Sequence, residues 1–143
     1  MLSYLKKQLS QKERKEVIRY MTQHKNLEAI IESRELDLQP SRTTHFDENP
    51  VQKSFTFNSE AETFAIKSEK IDEYKRVKRQ LDLAYQSIKP IQKLIWDERF
   101  VEGRADADLY YGHNIPKRTY YREKNELISV VAECLGIGGG KNG

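Results

Sequence analysis

The chain has 143 residues, 37% hydrophobic and 33% charged, with a net charge of +3 from 25 basic and 22 acidic side chains. That size and balance fit one small domain, or a small domain with an arm, built of amphipathic helices rather than around a thick interior. No apolar run approaches the ~20 residues that cross a bilayer and no apolar signal core follows Met1, so a cytoplasmic protein with no membrane partner is expected, and the single cysteine, Cys134, excludes an internal disulfide.

Ser10 with Glu13 has the spacing of a capping box, and Val17, Ile18, Met21, Leu27, Ile30 and Ile31 follow at roughly helical intervals. A first helix is expected over 11–33, within an amino-terminal helical segment 1–35. Its basic patch, Lys6, Lys7, Lys12, Arg14, Lys15 and Arg19 against Glu13 and Glu16, reads either as a solvated face or as a phosphate-neutralising surface.

Residues 36–58 hold Pro40, Pro50, Ser41–Thr44 and Asp47–Asn49, with only a short Phe55/Phe57 alternation, and read as a linker or arm. Ser59 with Glu62 then suggests a second capping box, opening a long helix over 59–89 that ends where Lys89-Pro90 interrupts it. On a heptad frame Phe64, Ile71, Tyr74, Leu81, Tyr85 and Ile88 form a seam, broken by Lys67 and Lys78. Three partners could cover it: the first helix, the carboxy-terminal bundle, or the same helix of a second copy in a homodimer.

Residues 90–143 carry the most informative pattern. Ile91, Leu94, Ile95, Phe100 and Val101 run up to Gly103, a glycine where a helix stop wants one. A short helix is expected from Arg104 to Tyr111, then a turn at Gly112-His113-Asn114, then a helix opened by Pro116. That cadence is a helix-turn-helix unit. The fold class is therefore all-α: long helices followed by a carboxy-terminal helix-turn-helix bundle.

In the last helix Tyr120, Lys124, Leu127, Ile128, Val131, Cys134 and Leu135 fall on one side, and Arg118, Arg122, Asn125 and Ser129 on the other. Arg can give two parallel bonds to guanine and Asn can do the same to adenine, each discriminating by roughly 1–3 kcal/mol. Arg118, Arg122 and Asn125 are thus candidate base readers of double-stranded DNA. Lys117, Thr119, Tyr121 and Lys124 are candidate positioning or phosphate contacts.

The glycine-rich end, Gly136 to Gly143, lacks the first glycine, the Ser/Thr and the following helix of a phosphate loop, and reads as a glycine helix stop with a flexible end. His24, His45 and His113 share no metal-ligand spacing, and no nucleophile–base motif is recognisable. No enzyme activity, cofactor or metal is expected.

Residues Ile91 to Ile137 resemble the ArpU/RinA-like late transcription regulators of bacteriophages infecting Gram-positive bacteria. The likeness lies in Leu94-Ile95-Trp96-Asp97-Glu98-Arg99-Phe100-Val101-Glu102-Gly103, in Asn114-Ile115-Pro116-Lys117-Arg118-Thr119-Tyr120-Tyr121-Arg122, and in Val131-Ala132-Glu133-Cys134-Leu135-Gly136. Pro116 stands where the family usually has a small polar cap, and Gly112 is unusual near the end of the preceding helix. The resemblance implies a promoter-reading unit like that of sigma factors. It also implies activation of phage late genes for packaging, morphogenesis or lysis, and contact with host RNA polymerase. Two further readings stand beside it: a non-catalytic helical interaction or assembly protein working through the Phe64–Ile88 seam, and a DNA-packaging recognition subunit.

Overall fold

The computed structural model describes residues 8–38 and 50–138, with the backbone course alone for 50–60. Every regular element among them is helical, which gives an all-α fold. The basic residues Lys6 and Lys7, the stretch 39–49 with His45, and the last glycines from Gly139 lie outside the described residues.

Helix α1 spans Gln11–Gln23 and starts at the capping box: the Glu13 N–H donates to Ser10 Oγ at 3.1 Å and the Ser10 N–H to Glu13 Oε1 at 2.9 Å. It stops earlier than its apolar period suggests. A 3₁₀ turn at His24–Asn26 separates it from α2, Leu27–Leu38. The reason is tertiary. His24 bonds to Asp82 at 2.7 Å, and its ring lies 5.2 Å from Trp96 and 6.1 Å from Tyr85, so its position is set by partners far along the chain.

Helix α3 spans Pro50–Ser87. It begins at Pro50, not at Ser59, because proline's fixed φ suits a first helical turn. Residues 36–38 and 50–58, expected in the linker, are thus helical, and Ser59 lies inside α3 rather than capping it. Lys89 is extended and Pro90 opens α4, Pro90–Ile95, as the Lys89-Pro90 step requires. The helix continues as a wider π-helical segment, Trp96–Val101, in which the Glu102 N–H bonds Asp97 O at 2.9 Å. Gly103, at φ +79°, turns the chain out of it, a left-handed conformation that favours glycine. Helices α5, Asp106–Gly112, and α6, Lys117–Leu135, are the last among the described residues.

The chain divides into two compact units, residues 1–25 with 77–143, and residues 26–76. Helix α1 belongs to the unit that holds α4, α5 and α6. That unit buries Val17 and Met21 of α1, Leu81 and Ala84 of α3, Ile88 just beyond it, Leu127, Ile128 and Val131 of α6, and Trp96. The indole N–H of Trp96 donates to Met21 O at 3.0 Å, which pins α1 to the π-helical segment. The seam residues Leu81 and Ile88 are thus covered within their own unit.

In the other unit Leu27, Ile31 and Ile71 are buried, and Lys75 pairs with Glu35 at 2.9 Å. Phe64, at the start of the seam, stays 53% exposed. Among the described residues no helix is long and apolar enough to cross a membrane.

Candidate nucleic-acid interface

The junction between α5 and α6 sets the interface. After Gly112 the chain closes a two-bond helix stop: the Asn114 N–H bonds Tyr111 O at 3.3 Å and the Ile115 N–H bonds Tyr110 O at 2.9 Å. The left-handed residue this requires is Asn114, at φ 59°. Asparagine tolerates that region better than other side-chain-bearing residues, so Gly112 is left in the last turn of α5. Pro116 then sits at the cap position with φ −58° and ψ 136°, and no side chain caps α6. The Tyr120 N–H closes the first turn onto Pro116 O at 2.9 Å.

One face of α6 is locked in place. Tyr120, Leu127, Ile128 and Val131 are fully buried. Beside them the Asp106 carboxylate gathers three donors, Tyr120 Oη at 2.5 Å, Lys124 Nζ at 3.0 Å and Arg99 Nε at 3.0 Å, and so ties α5 to α6 and to the π-helical segment. Burial pushes the Asp106 pKa up, but the hydrogen bonds from Tyr120 and Lys124 and the charges of Lys124 and Arg99 outweigh it and hold the carboxyl below its ordinary value. A second polar lock joins α4: buried Gln92 donates to Glu123 Oε1 at 3.0 Å, and Lys89 Nζ stands 3.2 Å from the same oxygen.

The opposite face is open. Lys117, Arg118, Arg122 and Asn125 are all exposed at the start of α6, and Thr119 and Tyr121 are half-buried at its flanks. Lys117 Nζ lies 5.9 Å from the Tyr110 ring, and Arg122 makes a 3.6 Å contact with Glu123.

Lys124 does not join them. It is 8% exposed with its ammonium bound to both Asp106 oxygens, at 3.0 and 3.1 Å, so its charge serves the interior instead of a phosphate. The apolar period already placed it on the buried side, and a lysine there needs an acid. Asp106 is that acid.

Two neighbours were not apparent from sequence. Arg14 of α1 reaches Asn125, its Nη2 donating to Oδ1 at 2.9 Å. Tyr111 is 77% exposed next to the junction, its ring 4.9 Å from that of Tyr110, which in turn touches Tyr120 and Tyr121 at 5.5 and 6.0 Å. The Tyr110-Tyr111 pair just before a basic helix start is the sequence signal that could have found the aromatic cluster; none could have found Arg14. Away from it, His113 bonds Glu98 at 3.0 Å, and Cys134 is half-buried with its thiol pKa raised by burial.

The arrangement presents two guanidinium forks, an amide and an ammonium on one rigidly backed helix start, a set suited to base edges and phosphates. No family model, curated protein or solved structure matches the chain.

Proposed function

We propose that this chain is a sequence-specific transcription regulator that binds double-stranded DNA and activates bacteriophage late genes in the cytoplasm of the bacterial host. The observation that carries this reading is the two-sidedness of α6: Arg118, Arg122 and Asn125 are exposed on one side, while Tyr120, Leu127, Ile128 and Val131 are buried on the other. A reading helix needs its free face held rigidly, because a bidentate contact tolerates little angular error. Arg118 and Arg122 read guanine edges, Asn125 reads adenine, and Lys117, Thr119 and Tyr121 contact the backbone.

The resemblance of residues 91–137 to ArpU/RinA-like regulators supplies the late-gene context and the host polymerase as a further partner. Of the seam, Ile71, Leu81 and Ile88 are buried within the chain and Phe64 is left exposed for a homodimer contact; a homodimer would offer two reading helices to paired half-sites.

Selection of bound duplexes from a random-sequence pool, followed by sequencing, tests the proposal. A short recurrent motif is expected, containing a guanine position that is lost with Arg122→Ala. Recovery without any motif contradicts sequence-specific reading.

A further inference from the structure

Helix α1 carries a second basic surface. Lys12, Lys15 and Arg19 are exposed and stand at i, i+3 and i+7, on the side of the helix opposite buried Val17 and Met21. They line about 10 Å of helix. Among the described residues no ion pair engages any of them. Of the two acids in α1, Glu13 is committed to the cap with Ser10, and half-buried Glu16 stands four residues from Lys12 and three from Arg19. Like charges three and four residues apart repel and weaken a helix. Glu16 offsets part of this charge, but three bases against one acid leave the face net positive, and a net positive face matches a polyanion.

The stripe is joined to α6 through Arg14. Its bond to Asn125 lies at an exposed rim where the two helices meet within one unit. Moving around α1 from Arg14, away from the core, the next base is Lys15. Moving around α6 from Asn125, the next are Arg118 and Arg122. Positive charge therefore continues across the crevice from one helix to the other.

We propose that the Lys12, Lys15 and Arg19 stripe is a second docking surface for double-stranded DNA, holding the sugar–phosphate backbone beside the segment that α6 reads. This rests on the reading of α6 as the DNA-contacting helix. The occupant follows from charge complementarity: a duplex carries one negative charge per about 1.7 Å of its axis, so a 10 Å stripe faces several phosphates at once. The contact is sequence-independent and sets orientation, leaving discrimination to α6.

The test uses the full chain and a random-sequence 30-bp duplex, titrated over a salt series. Wild type is compared with a Lys12→Ala/Lys15→Ala/Arg19→Ala variant and a Lys117→Ala/Arg118→Ala/Arg122→Ala variant. The α1 substitutions are on exposed positions and introduce a better helix former, so helix content by circular dichroism should not fall. The expected result is a shallower dependence of log affinity on log salt in the α1 variant, by up to about 2.7 for three lost phosphate contacts. An unchanged slope in that variant overturns the second surface whatever the α6 variant does. If only the α6 variant loses slope, the α6 reading stands alone. If wild type does not bind the duplex, both fall.

Discussion

Arg14 and Asn125, 111 positions apart, meet at the rim between α1 and α6, where the guanidinium donates to the amide oxygen at 2.9 Å. The bond orients the Asn125 amide: Oδ1 faces Arg14 and Nδ2 is left to donate. An amide oxygen has two lone pairs, so Oδ1 can still accept from adenine N6 while Nδ2 donates to N7. If Asn125 reads a base as proposed, Arg14 positions its amide for that contact.

Arg14→Ala should free the amide to rotate. For an exposed charge-assisted bond the loss is about 0.5–1 kcal/mol, which is about two- to fivefold in affinity. It should concentrate on the selected site, and preference at the adenine position should flatten. A competition assay between selected and adenine-substituted duplexes checks this. An equal loss on both duplexes would mean that Arg14 contacts phosphate only.

The Asp106 cluster predicts a different behaviour for Lys124. Lys124→Met should cost stability, roughly 1–3 kcal/mol from the loss of a largely buried charge partner, while leaving the salt dependence of DNA binding unchanged. Asp106→Asn should cost at least as much, since it leaves the buried ammonium of Lys124 without its counter-charge. Urea denaturation followed by Trp96 fluorescence is a suitable measurement, because the chain has one tryptophan and its ring bridges α1 and the π-helical segment.

The same carboxylate gives a pH dependence. Its folded-state pKa lies below the ordinary value of 3.8, so the folded chain favours the ionised form. The stabilisation is fully present above that ordinary value and is lost as pH falls through the lower folded value. Asp82 acts in the same direction: burial raises its pKa, but bonds from Lys78 and His24 outweigh this and hold it low. Unfolding midpoints should therefore decline below pH 4, and Asp106→Asn should reduce the part of the decline due to Asp106. An acid profile identical in the variant would mean that Asp106 does not contribute to the decline.

Arg122 and Lys117 should separate reading from positioning. Arg122→Ala should lower affinity for the selected site by about 1–3 kcal/mol and relax one guanine position. Lys117→Ala should weaken all duplexes alike and reduce the salt slope by about one. Binding isotherms on matched and mismatched duplexes measure both. If neither substitution alters binding, the face is misassigned.

Features fixed by neighbouring residues were legible in the sequence. The Ser10/Glu13 cap, the glycines that turn left-handed at Gly103 and Gly136, the interruption at Lys89-Pro90 and the apolar side of α6 all depend on spacing or on one residue's backbone freedom. What was not legible depends on partners far along the chain. The break at His24 follows a bond to Asp82, the burial of Lys124 depends on Asp106, and Arg14 is recruited to Asn125. The early start of α3 at Pro50 was obscured because proline reads equally as a linker residue and as a first helical residue. The candidate interface was therefore nameable as a helix face, but not the α1 residue that completes its rim.

Capture of fragments of the genome that carries this gene, by the full-length protein at two salt concentrations with sequencing of what is bound, tests sequence-specific DNA binding most directly. Enrichment of a short site upstream of late genes that survives the higher salt is expected. Uniform recovery that disappears with salt would contradict it, leaving only phosphate attraction by the basic surfaces.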